Sequence, residues 1–290
     1  MMKIDIPTMR TQMSEGDQKR DAGLTEPDTI TAIKELTYGP HGIENKFDIY
    51  YPVGTTTCLP TIVSIHGGGF FYGDKELYRF YTMYLASQGF TVVNFNYRLA
   101  PTHHYPAPLE DTNTLMNWLL IHGKDYYVDT ERLFLVGDSA GGQLAEQYST
   151  LTSNPDYANL MDFTVANVHF KAVGLNCGAY FIGQTDAINQ DFPFYFGETI
   201  SEQTAKQFPV ESYITADFPP AFITTATHDF LKDVGEPLAN IIRSKGVAAD
   251  FHLYANPDGE ELHHVFHLDQ RNPIGKQCNE ETLTFFRNFL

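Results

Sequence analysis

Apolar residues in this chain come in short blocks, and the period within each block separates strands from helices. Thr31–Tyr38 and Lys46–Val53 read as strands, parted by the turn-rich Gly39-Pro40-His41-Gly42. Thr61–Ile65 is apolar and β-branched and runs into three glycines, the pattern of a strand buried on both faces. Strand and helix then alternate. Tyr78–Gln88 is helical up to Gly89, Phe90–Tyr97 is a strand, and Leu109–His122 carries Leu115, Trp118 and Leu119 at helical spacing before Gly123. Arg132–Val136, Lys171–Leu175, Ala221–Thr225 and Asp250–Tyr254 are further strands. Helices are expected at Gly141–Thr152, Glu236–Ser244 and Cys278–Phe289. Such alternation predicts an α/β fold, a mainly parallel central sheet flanked by helices on both faces, with an antiparallel start where two early strands lack a helix between them.

Two segments break the rhythm. Residues 1–28 are polar without a clear period and read as a flexible arm or a small helical flap. Residues 180–217 form a long insertion rich in Phe, Tyr and Pro between two strands, read as a lid, because long insertions in compact α/β domains are usually functional. The expected organisation is a single domain over 1–290 with cap elements from about 1–28 and 180–217.

Composition narrows the partners more than the fold. Hydrophobic residues make up 42%, enough for a sizeable core, and the formal charge is 19 − 36 = −17. That balance disfavours nucleic acid and anionic membrane surfaces. The three cysteines, Cys58, Cys177 and Cys278, are far apart and form no C-x-x-C pair, so free thiols are expected. The N-terminal stretch lacks the apolar core of a signal peptide, and no run approaches the ~20 apolar residues of a membrane span. A cytoplasmic location is the expectation.

The chemistry is concentrated in a few loops. Gly137-Asp138-Ser139-Ala140-Gly141 is a G-x-S-x-G pattern that ends a strand and opens a helix, the context of a nucleophile elbow. So tight a turn leaves no room for a Cβ at Gly137 or Gly141 and lifts the Ser139 hydroxyl clear of the sheet, with the following helix directing its amides at the reacting carbonyl. Ile65-His66-Gly67-Gly68-Gly69-Phe70 follows an earlier strand, and its glycines let backbone N–H groups approach a developing oxyanion. Gly67, Gly68 and Ala140 are the expected donors. No phosphate-loop pattern is present.

Together, His66-Gly-Gly-Gly69, Tyr97-Arg-Leu-Ala-Pro101 and Gly137-Asp-Ser-Ala-Gly-Gly142 resemble the hormone-sensitive lipase family of bacterial esterases, in order and spacing from about Pro60 onward. Tyr105-Pro-Ala-Pro-Leu-Glu-Asp111 is similar to the segment that follows in that family. The resemblance implies an α/β-hydrolase fold, carboxylic ester hydrolysis without metal or cofactor, and a cap built from the N-terminal segment and an insertion.

A serine hydroxyl needs a base, and in α/β-hydrolases the chain order is Ser, then Asp or Glu, then His. Asp229 lies at the carboxyl end of a strand, and Asp229-Phe-Leu-Lys-Asp233 is similar to the family's Asp-x-Leu-x-Asp signature, so Asp229 is the expected acid and Asp233 its rival. Glu261-Leu-His-His-Val-Phe-His267 offers three histidines after the last strand. His264-Val265-Phe266 matches the family's His-x-Phe, which favours His264 over His263 and His267. His263 and His267 at i and i+4 also read as a metal pair, but a third ligand and H-E-x-x-H are missing.

The expected partner is a small-molecule ester, with no nucleic acid, no membrane and a homo-oligomer left open. Phe70, Phe71 and Tyr72 beside the oxyanion loop are assigned to a small acyl pocket suited to acetyl-like esters; ordinary core is their bland alternative. A peptidase or amidase would use the same triad, and a non-catalytic ligand-binding protein on the hydrolase fold would typically lack a triad member.

Overall fold

A computed structural model describes residues 5–183 and 192–290. Residues 184–191 of the expected lid and residues 1–4 of the expected N-terminal cap lie outside the described residues. Eight strands form one sheet: β1 (Ile30–Thr37), β2 (Lys46–Pro52), β3 (Leu59–Ile65), β4 (Thr91–Phe95), β5 (Val128–Asp138), β6 (Phe170–Asn176), β7 (Ala221–Ala226) and β8 (Ala249–Tyr254). Their order is β1-β2-β4-β3-β5-β6-β7-β8. The β1–β2 and β2–β4 pairs are antiparallel and every later pair is parallel, as the strand pattern predicts.

Successive side chains on a strand point to opposite faces, and two cores result. Val63, Ile65, Leu133, Leu135, Val173 and Leu175 face α3 (Ala107–His122), α4 (Ala140–Ser153) and α8 (Gly235–Ser244). The alternate residues Ile62, Phe134, Val136 and Ala172 face α2 (Lys75–Ser87) and α9 (Pro273–Arg287). The short helix α5 (Pro155–Ala158) follows α4, and α6 (Pro193–Phe196) and α7 (Glu202–Lys206) lie within the 180–217 insertion.

The N-terminal segment is a sixteen-residue helix, α1 (Ile6–Asp21), rather than a flexible arm. It buries no residue fully, which is why its sequence shows no apolar stripe. Polar contacts dock it instead. Arg10 Nε donates to Phe71 O at 2.8 Å and Nη2 to Ala100 O at 3.0 Å, while Arg20 Nη2 donates to Leu77 O at 2.8 Å. The expected helix at Tyr78 starts three residues earlier, at Lys75, where Asp74 accepts the Leu77 N–H at 3.0 Å and caps it. The closing helix likewise begins at Pro273 rather than Cys278, capped by Asn272.

Because the central strands are parallel, their carboxyl ends lie along one edge. The segments carrying Gly67, Ser139, Asp229 and His264 follow β3, β5, β7 and β8, so the sheet topology delivers all four to the same rim.

Candidate active site

Ser139 sits between β5 and α4 at φ +52°, in the left-handed region, as a sharp strand-to-helix turn requires. The glycines around it are there because other backbone is there. A Cβ on Gly141 would lie 2.2 Å from Ile65 O, and one on Gly137 would lie 2.1 Å from Gly141 O. The Ser139 N–H donates to Asn176 O at 3.0 Å, and Ser139 O accepts from Ala179 N–H at 3.0 Å, so both neighbouring segments hold the elbow. Ala140 opens α4, where the first amides have no partner within the helix.

The glycine loop after β3 packs directly on this elbow, since a Cβ on Gly67 would lie 2.7 Å from Asp138 Oδ2 and 3.1 Å from Ser139 Cβ. His66 anchors the loop. Its ring stacks on Tyr97 at 4.1 Å, its Nδ1 lies 2.7 Å from Gly67 O, and Tyr97 Oη donates to His66 O at 2.6 Å. Burial holds the His66 imidazole down to about 4, so it stays neutral and serves structure. Arg98, next in the Tyr-Arg-Leu-Ala-Pro segment, binds Asp111 through Nε at 3.0 Å and Glu110 through Nη2 at 2.8 Å, which ties that segment to α3.

One expected oxyanion donor is otherwise engaged. The Gly67 N–H donates to Tyr78 Oη at 2.8 Å, and that hydroxyl donates to Asp138 Oδ2 at 2.7 Å. Gly67 is therefore corrected from oxyanion donor to anchor point of the loop. The Gly68, Gly69 and Ala140 amides make no hydrogen bond among the described residues. Sequence reasoning missed Tyr78, whose role depends on α2 passing behind the loop, and it treated Asp138 only as a filler of its motif. Burial pushes the Asp138 carboxyl up to about 7, with the Tyr78 hydroxyl drawing it back.

On the far side, His264 Nδ1 lies 2.9 Å from Asp229 Oδ1. Asp229 also accepts from Leu231 N–H at 2.8 Å and from Thr225 Oγ1 at 3.1 Å. Burial alone would raise this carboxyl, but His264, the Leu231 amide and the Cys177 thiol outweigh it and hold it below its ordinary value. The rivals are placed elsewhere. Asp233 is exposed, the His263 side chain is 66% exposed beside Glu261, and His267 is sealed in the interior against Tyr81. The Cys177 thiol lies within 4.8 Å of the ligand atoms of Asp229 and His264, and burial pushes it well up, so it stays protonated.

Ser139 and His264 line one cavity of about 70 Å³, shared with Gly67, Gly68, Tyr72 and Asp138. Helix α1 closes one side through Met13, Asp17 and Arg20, with Tyr72 Oη donating to Asp17 Oδ2 at 2.7 Å. Of the three aromatics assigned to the acyl pocket, only Tyr72 reaches this cavity. Phe70, at φ +67°, is turned into the core and stacks on Tyr195 at 4.0 Å, and Phe71 meets Phe194 edge-on at 5.3 Å. For Phe70 and Phe71 the pocket assignment gives way to core packing.

Known proteins agree with this architecture. A family model described as alpha/beta hydrolase fold matches residues 62–268. The esterase LipI of Mycobacterium tuberculosis is 30% identical over 217 residues, 70% of this chain and 67% of that protein. An acetyl esterase of Salmonella paratyphi B is 24% identical over 97% of this chain and 87% of its own length. Esterase B of Lactobacillus rhamnosis, solved inhibited by a tributyrin phosphonate, matches with a TM-score of 0.84 at 25% identity, covering 98% of this chain and 94% of that one. With a matched region spanning well over half its length, the chain belongs to the alpha/beta hydrolase fold family.

Proposed function

We propose that this chain is a carboxylesterase for esters with short acyl groups, with Ser139 as nucleophile, His264 as base and Asp229 as the carboxylate that orients it. Ser139 Oγ attacks the ester carbonyl and His264 takes its proton. The charge that develops on the carbonyl oxygen is met by the free Gly68 and Ala140 amides, with the Gly69 amide next to Gly68 in the chain. Asp229 fixes the imidazole tautomer and stabilises the imidazolium. The alcohol leaves with the proton from His264, and water, activated by the same imidazole, releases the acid.

The observation that carries this reading is the 2.9 Å His264–Asp229 hydrogen bond at the wall of the cavity that Ser139 also lines. The size of that cavity supports a small acyl group. About 70 Å³ is far below the roughly 300–1,000 Å³ of pockets for drug-sized ligands. The acetyl esterase and the tributyrin phosphonate-inhibited esterase among its relatives point the same way. A p-nitrophenyl ester series of rising acyl length tests the proposal: kcat/KM should peak at about four carbons or fewer. A maximum at about eight carbons or more would contradict the small pocket.

A further inference from the structure

We infer that Tyr78 and Asp138 form a positioning pair for the oxyanion loop; the inference rests on the reading of the site given above. Three separate elements meet at one phenol oxygen. Tyr78 belongs to α2, Asp138 ends β5, and Gly67 lies in the loop after β3. Both hydrogen bonds are buried.

A phenol carries one proton. The Tyr78 hydroxyl gives that proton to Asp138, so its oxygen faces Gly67 as an acceptor. The carboxylate thereby sets the direction of both bonds. Gly67 is also pressed onto the elbow, with Asp138 Oδ2 and Ser139 Cβ filling the space a Cβ would need. Any rotation of the peptide before Gly67 is passed to the adjoining Gly68 amide, which lines the cavity with Ser139. Tyr78 and Asp138 act through this peptide and take no part in bond making.

Such a role has a kinetic signature. Oxyanion donors meet charge that appears only as the transition state forms, so misplacing them lowers kcat and leaves KM nearly unchanged. With p-nitrophenyl acetate as substrate, Tyr78→Phe should lower kcat on the order of 10- to 100-fold with KM within about twofold of wild type. Asp138→Ala should do the same. The double variant Y78F/D138A should be no more than about threefold worse than the worse single variant, because the two residues act as a unit. Wild type and Ser139→Ala are assayed alongside. An inactive wild type overturns the reading of the site and this inference together. With an active wild type, a kcat within about twofold in Y78F, a loss confined to KM, or losses that multiply in the double variant overturns the pair alone. Tyr78→Phe removes a single oxygen, so it decides the matter by itself if Asp138→Ala does not fold.

Discussion

His264 and His267 lie three residues apart and occupy opposite environments. His264 is at the cavity wall with a carboxylate on Nδ1. His267 is fully buried, faces the Tyr81 ring, and neither of its nitrogens finds a hydrogen-bond partner among the described residues. Burial holds its imidazole down to about 3 from an ordinary 6.5. The folded chain therefore keeps His267 neutral while the unfolded chain protonates it below about 6.5. The stability this residue contributes is present above that pH and is lost as the pH falls toward 3. His267→Leu should show a flatter fall of stability between pH 6.5 and 4 than wild type, by up to about 1.4 kcal/mol per pH unit. His66 and Asp138 titrate alike in both chains, so the difference belongs to His267. Equal slopes in thermal or denaturant unfolding would contradict this assignment. At this scale the sequence was informative where a motif set the residue: Ser139 and His264 line one cavity, and Asp229 Oδ1 lies 2.9 Å from His264 Nδ1. It was silent where a partner arrives from elsewhere in the chain, as Tyr78 does at Gly67, and it could not tell that Phe70 and Phe71 turn away from the cavity.

Elements were legible in proportion to how far their burial shows as a pattern. β3, β6, β7 and β8 fall within about two residues of their expected bounds; the first three are largely buried and mostly apolar, whereas the edge strand β8 shows instead an alternation of apolar and polar residues. The first turns of α2 and α9 were missed because Lys75-Glu76 and Pro273–Gln277 are mostly polar and read as loop until their caps are seen. Helix α1 had no apolar signal, since arginines hold it to carbonyls. Two glycines separate local propensity from close packing. Gly141→Ala forces a Cβ against Ile65 O and His66 O, at 2.2 Å and 2.5 Å. It should cost at least about 1–3 kcal/mol of stability and about 100-fold or more in kcat, since backbone has to move at the elbow. Gly16→Ala in the interior of α1 meets nothing within 4 Å and should stabilise that helix by about 0.5–1 kcal/mol with kcat unchanged. Thermal unfolding and steady-state kinetics on both variants check the contrast.

For the whole molecule, the parallel sheet does the gathering. The segments that carry Gly67, Ser139, Asp229 and His264 follow β3, β5, β7 and β8, so Ser139 and His264, 125 positions apart in sequence, reach one cavity without any long-range pairing beyond the sheet itself. Among the described residues, no helix is long and apolar enough to cross a membrane. The net charge of −17 favours neutral or cationic small molecules near the surface over anionic ones. The central claim is that Ser139 is the group that takes the acyl chain, and covalent labelling tests it most directly. A fluorophosphonate reacts with activated serines and leaves a fixed mass on the residue it modifies. Intact-protein and peptide mass spectrometry should find one adduct on the wild type, on the peptide that contains Ser139, and none on Ser139→Ala or on His264→Ala at the same exposure. An unlabelled wild type, or an adduct that survives Ser139→Ala, would contradict the account.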